Sequence, residues 1–158
     1  MPKITALLCT RNDALRLGRA LDSLRPCDEV LIIDDNSEDD TVRVARENGA
    51  HIETMIPGVT QGAYAMDASH DWILCLRPTE ALSDELEASL LEWKGQDPPP
   101  TLACCTLTLR EQSNGAWHKL EPEVRLINRR LLNWVGEFPP IGDCDITLKG
   151  DLLRFRHP

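Results

Sequence analysis

The chain has 158 residues, 42% hydrophobic and 27% charged, with 26 acidic against 17 basic side chains and a formal charge of -9. This composition fits one folded domain with a buried core, and it excludes a disordered tail, a collagen-like repeat and a small disulfide-stapled knot. The acidic surplus opposes a phosphate backbone at long range, so no nucleic-acid partner is expected, although a local cationic pocket for a small anion is compatible with it.

Ile4 to Cys9 is a short apolar run of the kind a buried parallel strand requires. It passes into the polar loop Thr10-Arg11-Asn12-Asp13, then into an amphipathic helix carrying Leu15, Leu17, Leu21 and Leu24, capped by Asn12 or Asp13 and ended by Pro26. Glu29 to Ile33 forms a second strand, closing on Asp34-Asp35-Asn36-Ser37. A helix over about 39–48 follows, stopped by Gly49. His51 to Thr54 is an edge-like third strand, residues 57–70 a loop with a weak helix, and Asp71 to Leu76 the fourth strand. Ser83 caps a helix reaching about Lys94, with Asp84, Glu85 and Glu87 in its first turn and Leu86, Leu90, Leu91 and Trp93 turned to the sheet. This alternation predicts an α/β fold, a mainly parallel sheet with helices on both faces.

Pro98-Pro99-Pro100 breaks the rhythm. Thr101 to Leu109 and Ala116 to Leu120 then read as a hairpin around Asn114-Gly115, Val124 to Ile127 as another strand, and Leu152 to His157 as a final strand or a loose end. The expected organisation is a single domain over 1–158, its nucleotide-binding βα half at 1–94 and its strand-rich remainder at 101–158. Exposed strands in that remainder leave room for a homodimer. No apolar run reaches the ~20 residues of a membrane helix. Met1-Pro2-Lys3-Ile4 lacks the apolar core of a signal peptide, so a cytoplasmic location without a membrane span is expected. The six cysteines show no C-x-x-C pair and are read as structural thiols.

In an open parallel sheet, ligands bind beyond the carboxyl ends of the strands. That rule selects Thr10 to Asp13, Asp34 to Ser37 and Arg77-Pro78-Thr79-Glu80, which together offer hydroxyls, an amide, carboxylates and two guanidinium groups. Neither G-x-G-x-x-G nor a P-loop is present.

Thr10-Arg11-Asn12, Leu15 to Leu24, the stretch Glu29 to Thr41, the Asp71 to Glu80 segment and Val124 to Glu137 resemble the corresponding motifs of family 2 glycosyltransferases. The resemblance implies a GT-A, Rossmann-like fold, a UDP-type nucleotide sugar as partner and inverting glycosyl transfer as activity. It further implies that Thr10, Arg11 and Asn12 touch the nucleoside and that Asp35 reads the uracil or ribose. The family's Asp-x-Asp motif holds Mg²⁺ or Mn²⁺ against the donor diphosphate, but here Arg77, Pro78 and Thr79 occupy that motif and only Glu80 matches. No metal ligands are therefore assigned. Arg77 could pair with a diphosphate directly, being bidentate and permanently charged. Gln61-Gly62 stands where the family often has Arg-Asn, and Pro139-Pro140 where it has His-Glu. This leaves Glu137, Asp143 and Asp145 as candidate bases. The alternative function is a non-catalytic relative that binds a ligand or a protein.

Read from the residues alone, Asp34 to Ser37 also suits a capped turn, Glu80 and Asp84 suit the first turn of a helix, and Arg125, Arg129 and Arg130 suit a solvated face. Trp72, Trp93 and Trp134 suit the core.

Overall fold

The apolar runs read as buried strands lie side by side in one sheet. The computed structural model describes residues 1–140, 142 and 144–158. Its strands are β1 (Ile4–Thr10), β2 (Glu29–Asp34), β3 (His51–Thr54), β4 (Trp72–Leu76), β5 (Glu80–Leu82), β6 (Cys104–Ser113), β7 (Ala116–Asn128) and β8 (Ile146–Phe155). The helices are α1 (Ala14–Asp22), α2 (Thr41–Glu47), α3 (Gln61–Tyr64) and α4 (Asp84–Gly95). The sheet order is β3-β2-β1-β4-β7-β6-β8-β5. β1, β2, β3 and β4 are mutually parallel, β7 lies antiparallel to both β4 and β6, β8 returns parallel to β6, and β5 closes the far edge antiparallel to β8.

Alternation along β1 explains why the run is apolar throughout. Ile4, Ala6 and Leu8 enter one core cluster and Leu7 the other, so both faces are covered. The first cluster packs α1 and α4 on the sheet through Leu17, Leu21, Leu86, Leu90 and the edge-to-face pair Trp72–Trp93. The second gathers Leu31, Ile33, Tyr64, Ile73, Cys75, Cys104 and Trp134. Each fully buried Leu or Ile contributes roughly 1.5–3 kcal/mol over its exposed state.

Several readings needed correction. Leu15 and Leu91 are 84% and 54% exposed and belong to neither packed face. Asp13 occupies the position before α1 without capping it; its carboxylate accepts from the Arg11 N–H, while Asp39 accepts from the Ala14 N–H. The two segments at 116–120 and 124–127 are one strand, β7, which continues through Pro122 because that stretch has no partner on the β4 side. The last segment is a full strand, β8, and the short β5 went unseen because three residues leave no periodic signal. At the hairpin, Asn114 and Gly115 both have positive φ, as a tight turn of that hand requires. Gly150 has φ +90, and a side chain there would collide with the backbone of Leu86 as β8 passes under α4. No helix among the described residues is long and apolar enough to cross a membrane.

The cysteines also differ from expectation. Cys104 and Cys144 form a disulfide, with Cα atoms 5.5 Å apart. Spacing alone could not show this pairing, because it arises from β8 running beside β6.

Candidate functional site

Two corners of the sheet meet the geometric rule for a ligand site. At the first, β1 and β2 end side by side and their loops are stitched together. The Thr10 hydroxyl donates to Asp34 Oδ1 at 2.7 Å, and the Ser37 N–H donates to Asp34 Oδ2 at 2.9 Å. The Asn12 N–H donates to Ser37 Oγ at 2.9 Å, and Asn12 Oδ1 accepts from the Glu38 N–H at 2.8 Å. Asn12 and Asn36 both sit at positive φ, a conformation that asparagine tolerates better than most residues. Asp34 is buried and fully engaged, so it organises the corner.

Thr10 and Asn12, both expected at the nucleoside, use side-chain atoms in this stitching. Arg11 and Asp35 project instead, with side chains 73% and 37% exposed and only a 3.5 Å ion pair between them.

The second corner follows β4. Arg77, about one-third exposed, places Nη1 3.1 Å from Glu137 Oε1. Its guanidinium carbon lies 4.2 Å from the Phe138 ring centroid, and that of Arg125 lies 4.3 Å from the same centroid. Beneath them is a buried charge cluster that the sequence reading missed. Arg125, read as part of a solvated face, is 0% exposed and donates from Nη1 and Nη2 to the two carboxylate oxygens of Glu80, at 2.8 and 2.9 Å. Arg154 donates to Glu80 Oε2 at 3.1 Å, and Glu123 accepts from Arg125 at 3.2 Å. Glu80 is correspondingly no helix-turn acid: it opens β5 and accepts the Arg77 N–H at 2.8 Å, fixing the shape of the 77–79 loop. Burial pushes its carboxyl up, but Arg125, the Arg77 N–H and Arg154 together outweigh burial and hold it below the usual carboxylate range. A guanidinium inside the apolar run Val124-Arg125-Leu126-Ile127 was the one available signal, since a buried arginine requires a partner.

Arg129 also departs from the solvated reading, donating to the carbonyls of Ala65 and Ala68, whereas Arg130 is exposed beside Asp71. Asp84 does sit in the first turn of α4, under the Ser83 cap. The three tryptophans read as core are buried.

Residues 134–138 form a strap that runs from α3 to the second corner. A Cβ on Gly62 would collide with the Trp134 carbonyl, so the strap packs directly on α3, where the family pattern would have placed long polar side chains. The Gly62 N–H donates to the Gly136 carbonyl and the Gly136 N–H to Thr60 Oγ1, each at 3.1 Å. Gln61 is buried, donating to the Leu7 carbonyl while its Oε1 has no partner. Burial, and after it the charge of Glu137, push the Cys9 thiol up to about 11. Of the candidate bases, Glu137 is at the second corner, Asp145 is exposed, and Asp143 lies outside the described residues.

A divalent cation does not fit this corner. It requires several anionic or carbonyl oxygens, but Arg77 adds like charge and the Glu80 oxygens are occupied by two guanidinium groups. Among the described residues there is no group of three His, Cys, Asp or Glu side chains able to hold a metal.

No family model matches the chain. It is 38% identical over 91 residues to an uncharacterised glycosyltransferase of Rickettsia felis, an alignment covering 55% of this chain and 32% of that protein. It is 35% identical over 91 residues to an uncharacterised glycosyltransferase of Rickettsia prowazekii, covering 55% and 31%. The matched stretch is thus about a third of the length of these relatives. Among solved structures, Staphylococcus aureus TarS 1–349 in complex with UDP superposes with a TM-score of 0.56 at 15% identity, over 71% of this chain and 37% of that one. Glucosyl-3-phosphoglycerate synthase of Mycobacterium tuberculosis with phosphoglyceric acid gives 0.51 at 16% identity, over 72% and 45%. These superpositions show the fold, the GT-A, Rossmann-like α/β arrangement expected from the sequence.

Proposed function

We propose that this chain, a family 2 glycosyltransferase-like protein of GT-A fold, binds a UDP-type nucleotide sugar across the carboxyl ends of β1, β2 and β4 without a bridging metal. The observation that carries this reading is the pair of unlike corners on one sheet edge. One presents Arg11 and Asp35, loosely paired and exposed. The other presents a guanidinium where the resemblance would put cation ligands. In this reading Asp35 accepts from the nucleoside and Arg11 swings off Asp35 as the ligand enters. Thr10 and Asn12 contribute by holding the loops in register rather than by direct contact. Arg77 exchanges the Glu137 carboxylate for diphosphate oxygens, supplying fixed positive charge against the charge that develops on the leaving UDP.

Inverting transfer needs a base for the acceptor hydroxyl. Glu137 suits that role once diphosphate has displaced it from Arg77, because the same step frees its carboxylate beside the donor. Asp143 is the second candidate on its position in the sequence. The relatives are longer than this chain's matched segment, so the acceptor and the complete activity belong to this proposal too.

The test is release of UDP from a panel of UDP-sugars in EDTA, with binding measured in parallel by calorimetry. Binding and turnover that both fall in Asp35→Ala support a transferase. Binding with no turnover on any donor supports the non-catalytic alternative, and no binding of any UDP compound overturns the reading.

A further inference from the structure

The strap 134–138 is held on both flanks. On its amino side, the Leu131 and Leu132 N–H groups both donate to the Asn128 carbonyl. On its carboxyl side the covalent tie is Cys144, bonded to Cys104 at the start of β6 across a sequence separation of 40. The β6–β8 register, Cys105 opposite Ile146, delivers Cys144 to that position. Cys144 and Phe138 pack against the same apolar cluster, which includes Trp134 and Cys104. The disulfide and the ring stacked on Arg77 therefore rest on one surface.

The two bonded cysteines differ in burial, and the other four cysteines are free thiols. Cys104 is 7% exposed, whereas Cys144 is half-buried. Burial pushes the thiols of Cys27, Cys75 and Cys105 up to about 12 and that of Cys9 to about 11, so these four stay protonated and poorly reactive at neutral pH.

We infer that Cys104 and Cys144 form a reversible thiol–disulfide modification site that exchanges with low-molecular-weight disulfides and, when oxidised, fixes the strap carrying Glu137 and Phe138 at the Arg77 corner. The Cys144 thiolate attacks one sulfur of the small disulfide and releases one thiolate. The Cys104 thiolate then attacks the Cys144 sulfur, forming the internal bond and releasing the second small thiol. The two protein thiol protons pass to the two departing thiolates, and the small disulfide is the two-electron oxidant. Reduction leaves the strap held by the buried Trp134, the Phe138 ring against Arg77 and Arg125, the Gly62–Gly136–Thr60 hydrogen bonds and the exposed Arg77–Glu137 pair. Its consequence for nucleotide affinity rests on the function proposed above; the modification itself does not.

The experiment equilibrates the full chain in oxidised or reduced glutathione and follows cleavage after Glu137 by a glutamate-specific protease, with the Cys104–Cys144 link mapped by mass spectrometry. The expected result is a linked form cleaved about tenfold more slowly than the reduced form, because proteolysis tracks the opened population. Cys144→Ser should be cleaved at the reduced rate in both buffers. A link that never forms in oxidised glutathione, or equal cleavage of linked and reduced chains, overturns the inference. A UDP titration of both forms separates the two claims: cleavage that responds to redox state while neither form binds UDP leaves the modification site standing and removes the nucleotide reading.

Discussion

The two corners of the ligand edge differ in how they are held together. At the β1–β2 corner, one buried carboxylate, Asp34, is bonded to the Thr10 and Ser37 side chains and to the Ser37 amide, leaving Arg11 and Asp35 facing outward. At the β4–β5 corner, the buried Glu80–Arg125 pair is flanked by the half-buried Arg154 and Glu123, and the outward group, Arg77, is already matched by Glu137. The contrast teaches that hydrogen bonds order the first corner, whereas ion pairs order the second, with guanidinium groups at its centre. It also separates the buried residues that maintain the fold from the outward residues that the proposed function assigns to the ligand.

The sharpest way to break the comparison is at Glu80. Glu80→Ala strips the buried Arg125 of its bidentate partner and leaves only the half-buried Glu123 opposite it, and urea denaturation should show a loss of about 3–5 kcal/mol. Asp34 lacks a buried cation, so Asp34→Asn should cost less, about 1–3 kcal/mol in the same assay. Gly62→Ala tests the strap: its new Cβ meets the Trp134 carbonyl, and a destabilisation of about 1–3 kcal/mol is expected from overpacking. Arg77→Ala should fold normally yet weaken UDP binding about thirtyfold through loss of a charge-assisted contact worth ~2 kcal/mol, with uridine binding unchanged. Asp35→Ala should weaken uridine and UDP alike, each by about tenfold.

The pH dependence sharpens the same contrast. The Glu80 carboxyl is held below its ordinary value in the folded chain, and so is that of Asp28, where burial is outweighed by the Lys94 ammonium 2.7 Å away and the Ile4 N–H. A depressed folded value means stability that is present above the unfolded carboxylate range and lost as pH falls through the folded value. Urea midpoints should therefore decline below about pH 4, and Glu80→Gln should flatten that decline.

The βα half was legible because the Ile4–Cys9 and Glu29–Ile33 runs and the Ser83 cap each carry a local physical signature, as does the Asn114-Gly115 turn in the strand-rich remainder. The Arg125–Glu80 pair was not legible, because its partners are 45 residues apart and only the antiparallel return of β7 against β4 brings Arg125 under the 77–80 loop. The disulfide was hidden for the same reason, as a consequence of strand order. Arg11, Asp35 and Arg77 could be selected from the rule about strand ends, but that Thr10 and Asn12 hold the corner together emerged only from the hydrogen bonds.

The most direct measurement is the UDP dissociation constant of the wild-type chain in EDTA and in Mn²⁺, beside that of Arg77→Ala in EDTA. If a guanidinium does the work of a cation, the two wild-type values agree within about twofold and the variant is weaker by more than tenfold. Binding that appears only with Mn²⁺, or an Arg77→Ala chain that binds as tightly as wild type, contradicts the account.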